Sequence, residues 1–85
     1  MSWAVMVVVL PREGISDPEG KAIHDAALQL GYGEVVQVHA GRSFEVEGEY
    51  DSRDAAENGA QKLAERLLAN PVIQTYEIVA VEELR

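Results

Sequence analysis

The 85-residue chain predicts an α+β fold in the order β-α-β-β-α-β, a two-layer sandwich with both helices on one face of a four-stranded antiparallel sheet. Three observations predict it. A valine-rich run opens the chain, two segments with helical apolar spacing carry cap residues, and short strand-like runs occupy the intervals.

Residues 3–10 (WAVMVVVL) are apolar without strict alternation, the pattern of a central strand covered on both faces. Asp17 then offers a carboxylate to cap a helix, Pro18 presets φ for its first position, and Glu19 complements the positive end of the helix dipole. Ala22, Ile23, Ala26, Ala27 and Leu30 share one face of that helix, and Gly31 suits the left-handed residue that ends it. Residues 35–40 (VVQVHA) and 44–50 (FEVEGEY) read as strands flanking a short hairpin connection at Gly41, Arg42 and Ser43. Alternation in the second strand sends Phe44, Val46 and Tyr50 to one side and Glu45, Glu47 and Glu49 to the other.

The second helix has Asp51, Ser52 or Asp54 as its cap and Ala56, Ala60, Leu63, Ala64 and Leu67 as its buried stripe, and Asn70-Pro71 stops it. Residues 76–81 form the last strand, with Val79 and Val81 opposed to Tyr76 and Ile78. The whole has the split-βαβ, ferredoxin-like order. Both faces of its sheet are apolar in the middle, so a second copy or another subunit is expected to cover the exposed one.

A formal charge of -8 repels nucleic acid and anionic membrane surfaces, and no apolar run approaches the ~20 residues needed to span a bilayer. The start lacks a basic region and a cleavage site, so a cytoplasmic address is expected. Without cysteine there is no thiolate nucleophile or thiolate metal site. His24 and His39 lack metal-pair spacing, no serine stands in a G-x-S-x-G turn, and Gly20-Lys21 is followed by Ala22 where a P-loop needs a hydroxyl. The three glutamates project in a row from one strand and do not converge as calcium ligands must. The residues therefore describe an acidic, oligomer-prone module of residues 1–85 with no catalytic, cofactor-binding or metal-binding set of its own.

Several stretches, in order, resemble the PurS family. They are Asp17-Pro18-Glu19-Gly20 with Ala22, Gly31-Tyr32 with Val35, the Gly41-Arg42 pair, and Leu68-Ala69-Asn70-Pro71-Val72-Ile73 ahead of Tyr76. Pro11, Ser16, Arg42 and Gln74 depart from the family pattern. The resemblance implies an accessory subunit of phosphoribosylformylglycinamidine synthase in purine biosynthesis. PurS would bridge the PurQ glutaminase and the PurL synthetase as a homodimer or homotetramer and shelter ammonia transfer, while ATP, Mg and glutamine are used by those partners. The candidate interface residues Arg12, Asp17, Arg42, Asn70 and Pro71 are chosen because they lie on loops of a fixed scaffold. The same element order also serves ACT-like domains that bind small molecules at a dimer interface, which is the alternative reading, and a dimeric α+β-barrel enzyme using His39 as base is a third.

Overall fold

The order of strands across the sheet is β2-β1-β3, with β1 (Ser2–Pro11) in the centre, β2 (Arg42–Glu49) on one side and β3 (Gln74–Glu83) on the other. The computed structural model, which describes residues 1–84, also holds helices α1 (Pro18–Gln29) and α2 (Arg53–Leu63). Both strand pairings are antiparallel. The central position expected for the valine-rich strand is therefore observed, but the sheet has three strands and not four.

The α2 side of the sheet holds the core. Val5, Val7 and Val9 are fully buried there against Ala56, Ala60 and Ala64. The three alanines let the helix axis approach the strand closely, and each buried valine contributes about 1.5–3 kcal/mol. Phe44, Val46, Tyr76, Ile78 and Val81 pack around this centre.

Ser52 is the cap of α2, its Oγ accepting the Ala55 N–H at 3.1 Å. The helix then widens into a π-helical turn (Ala64–Leu68), in which the Ala69 N–H reaches the Ala64 carbonyl at 2.9 Å. A wider turn advances the side-chain phase by about one residue. Leu67, expected inside, is 73% exposed, and Leu68 packs on the core in its place.

A register shift on β3 has a similar effect. Met6 stands opposite Ala80 but Val7 opposite Ile78, so Val79 is an extra, bulged residue. The bulge returns Val81 to the side of Tyr76 and Ile78, contrary to simple alternation. The other face of the sheet is consequently apolar along one strand only. Ala4, Met6, Val8 and Leu10 run between Glu45 and Glu47 on β2 and Glu77 and Glu82 on β3.

The second departure is α1. Its ends follow expectation: Asp17 caps it, with Oδ1 accepting the Gly20 N–H at 3.0 Å. Gly31, at φ 97°, closes it with paired bonds from Gly31 N–H to Leu28 O and from Tyr32 N–H to Ala27 O. Yet α1 makes no extended contact with the sheet or α2, and Ile23, Leu28 and Leu30 are exposed. The helices do not share one face of the sheet.

Residues 35–40, expected as a strand, lie outside the sheet. A two-residue hairpin needs positive φ at its turn. Gly41 has none, and residues 35–40 do not pair with β2. The result is an elongated molecule, with a radius of gyration of 16.0 Å where a compact chain of this length has about 12 Å.

Candidate partner-binding site

In an antiparallel sheet of this order, the end of β1 and the starts of β2 and β3 fall at the same edge of the molecule. That geometry gathers Arg12, Asp17, Arg42, Asn70 and Pro71, which are far apart in the sequence, toward one end. Each is held by short, specific contacts.

Arg12 follows β1 directly. Its N–H donates to Ile73 O at 2.9 Å and its Nε donates to Pro71 O at 2.8 Å. The first loop is thereby fixed to the turn before β3. Asn70 builds that turn from within: its Oδ1 accepts the Val72 N–H at 3.0 Å, and its own N–H donates to Gln74 Oε1 at 2.7 Å. Pro71 and Val72 are left projecting, Val72 with 78% of its surface exposed.

Asp17 holds two segments. While Oδ1 caps α1, Oδ2 accepts the Ala40 N–H at 2.9 Å. The bond from Ala40, then the bond from Gly20, draw its carboxyl below the ordinary value of 3.8. Both oxygens are already occupied as acceptors, so Asp17 acts as a clamp between helix and loop.

Arg42 opens β2 with its guanidinium 5.4 Å from the centre of the Phe44 ring, a cation–π contact two residues along the same face. Asp17 and Arg42 border one shallow depression of 460 Å³ with Ile73 and Gln74. A second, wider cleft of 820 Å³ separates the loop after β1 from residues 36–39.

Four contacts here went unread in the sequence. Gly20 is buried, and a Cβ on it would collide with Val38 O and the Asp17 carboxylate. Gly41 likewise lies against Val9 O and Leu10. A glycine inside a helix weakens it unless another backbone needs the space, and that is the signal by which Gly20 was legible. His24 Nε2 donates to Val35 O at 2.9 Å, which ties α1 to the segment after it. Tyr76 donates to Glu65 Oε1 at 2.7 Å, joining β3 to the π-turn; that bond first, and burial second, raise the phenol above its ordinary value.

Among the described residues there is no group of three or more His, Asp or Glu side chains placed to hold a metal ion. No helix there is long and apolar enough to cross a membrane. The arrangement offers a shaped surface: two arginines and a clamped carboxylate on loops, beside exposed Val72 and Ile73.

Comparison with known proteins gives the same family as the motifs. Residues 4–82 match the family described as PurS, phosphoribosylformylglycinamidine (FGAM) synthase. The phosphoribosylformylglycinamidine synthase subunit PurS of Archaeoglobus fulgidus is 44% identical over 68 residues, which is 80% of this chain and 85% of the relative. Thermus thermophilus PurS superposes with a TM-score of 0.90 over 100% of both chains at 29% identity. A chain in the structure of PurLQS from Thermotoga maritima superposes with a TM-score of 0.80, at 28% identity over 99% of each chain.

Proposed function

The chain belongs to the PurS family of phosphoribosylformylglycinamidine synthase subunits, and from that premise we propose that it works as a non-catalytic bridge between a PurL synthetase subunit and a PurQ glutaminase subunit in purine biosynthesis. The observation that carries this reading is the gathering of Arg12, Asp17, Arg42, Asn70 and Pro71 at one end of the sheet, where their contacts build a surface and no reactive centre. The likeness to a chain of the Thermotoga maritima PurLQS structure supports the choice of partners.

On this reading ATP, Mg and glutamine are handled by the partner subunits. The chain contributes positioning and a sheltered route for ammonia, which depend on complementary surfaces rather than on a perturbed side chain. Residues 1–85 act as one unit, in the cytoplasm, and self-associate as a homodimer or homotetramer. Exposed Ile23, Leu28 and Leu30 on α1 support that self-association.

The test is reconstitution. Glutamine-dependent amidotransfer by PurL and PurQ requires this chain, whereas ammonia-dependent turnover by PurL requires it less; equal dependence of both, or of neither, contradicts the proposal. Arg42→Glu weakens co-purification with PurL and PurQ and leaves the circular dichroism of the isolated chain unchanged.

A further inference from the structure

Among the described residues, no helix packs on the face of the sheet away from α2. Met6, Val8 and Leu10 lie half-buried along its centre. Its flanks are acidic. On the β2 side Glu45 pairs with Met6 and Glu47 with Ala4; on the β3 side Glu77 pairs with Val8 and Glu82 with Ala4. These glutamates are exposed, and among the described residues no cation pairs with them. Glu49, next in the β2 row, is already held by the Met1 amino group and the Ser2 hydroxyl. Nothing in the sheet balances this charge, because the only lysine or arginine in the three strands, Arg42, lies with Phe44 on the other face.

This pattern defines its occupant. An apolar stripe open to water calls for apolar cover, and unpaired carboxylates along both sides of it call for cover with positive edges. The spacing decides the shape of that cover. The two acidic rows stand on the strands either side of β1, two strand intervals or about 9.6 Å apart, which is close to the width of an α-helix, about 10 Å with its side chains. A helix lying along β1 thus sets an apolar ridge on the stripe and its two flanks above the glutamates. From Ala4 to Leu10 the strand extends about 20 Å, the length of about 13 helical residues. On the opposite face α2 already meets β1 in this way, through Ala56, Ala60 and Ala64.

A second copy does not satisfy these requirements. Its own open face would set glutamate against glutamate, and its α1 carries Glu19 and Asp25, with the one lysine of that helix, Lys21, paired to Asp25 at 3.5 Å. We infer that the open face of the sheet docks a cationic amphipathic helix of a partner subunit, its apolar ridge on Met6, Val8 and Leu10 and its lysines or arginines above Glu45, Glu47 and Glu77. This rests on the bridging role proposed above and deepens it. A bridge needs two surfaces: the loop end with Arg12 and Arg42 supplies one, and this face, opposite in charge, supplies the other.

The chain holds two methionines, Met1 and Met6, so methyl-labelled methionine gives a spectrum that is readable in a large complex. In the assembly with PurL and PurQ the Met6 methyl is expected to shift and to lose its relaxation by a neutral gadolinium chelate. A Met6 methyl that stays accessible in the assembled complex overturns the docking and leaves the bridging role intact. Glu45→Lys weakens assembly about fivefold, whereas Glu57→Lys, the same charge change on α2, does not; equal effects of the two refute the proposal. A second arm uses the free chain alone. A leucine–lysine peptide of about 14 residues, with its leucines on one helical face, shifts the Met6 methyl, and the same peptide with glutamate for lysine leaves it unmoved. Equal responses to the two peptides, or none to either, refute the cationic requirement. A Met6 signal that moves with protein concentration in the absence of peptide identifies a second copy as the occupant and also overturns the proposal. Failure to assemble with PurL and PurQ by a chain that binds the lysine peptide on this face counts against the bridging role alone.

Discussion

Helices α1 and α2 have similar length, similar alanine-rich stripes and side-chain caps of the same kind, yet one is the foundation of the core and the other stands apart from it. Ala56, Ala60 and Ala64 on α2 are fully buried, while Ile23 on α1 is 47% exposed. The difference lies in what each helix is offered by its own chain. After α2 the chain returns as β3 beside β1; after α1 it turns back only onto α1 itself, with Val35 O at His24 and Val38 O at Gly20, and does not join the sheet. An amphipathic pattern thus announces that a helix will be covered, and says nothing about which molecule does the covering. A helix as short as α1 is marginal without such cover.

Changes to each half separate them. The largest effect is expected in the α2 half. Val7→Ala leaves a cavity in the core shared by β1 and α2 and costs about 2 kcal/mol, lowering Tm by about 8–16 °C at any protein concentration. Ile23→Ala, at a side chain 47% exposed within its own chain, lowers Tm less in dilute solution, and under the self-association proposed above its effect grows with concentration. A calorimetric series over a hundredfold range of concentration distinguishes the two; parallel behaviour would erase the distinction.

Gly20→Ala comes next. Its Cβ meets Val38 O, a backbone atom that moves only with the whole segment, and such overpacking costs about 1–3 kcal/mol. Amide exchange at Ala40 accelerates while that at Val5 and Val7 does not. Ser52→Ala removes the α2 cap and costs about 1 kcal/mol, measured by urea denaturation. Lys21→Ala breaks an exposed pair with Asp25 and stays within about 0.5 kcal/mol.

Acid acts on the Asp17 clamp. The Asp17 carboxyl is lowered in the folded chain by its bonds from Ala40 and Gly20. A lowered carboxyl contributes stability that is complete above its unfolded value, near 3.8, and disappears as pH falls through the folded one. The Gly20 and Ala40 amide resonances are expected to shift together below about pH 4, with those of Val5, Val7 and Val9 unmoved. Asp17→Asn removes the titration.

Where local chemistry decides the outcome, the sequence was readable. The central valine strand, the Asp17 cap with Pro18, the Gly31 stop and the alanine stripe of α2 each depend on residues within one turn or strand. The misread features depend on register or on connection. An alternating pattern cannot reveal the extra residue at Val79, nor a 3.6-residue period the widened turn that exchanges Leu67 for Leu68. VVQVHA has the composition of a strand and yet lies outside the sheet, because Gly41 lies against Val9 O and Leu10 and makes no hairpin turn. The interface residues were selected as loop residues, but the Arg12–Pro71 and Asp17–Ala40 bonds that assemble them join positions 59 and 23 residues apart. No local pattern carries such links.

The bulge at Val79 bears on how far assembly can proceed. A small protein with two smooth sheet borders is a seed for filaments, since each added copy presents a fresh border to the next. With one border kinked, edge-to-edge growth is confined to the other. One extra residue in the final strand therefore leaves a stack of sheets nowhere to extend on that side.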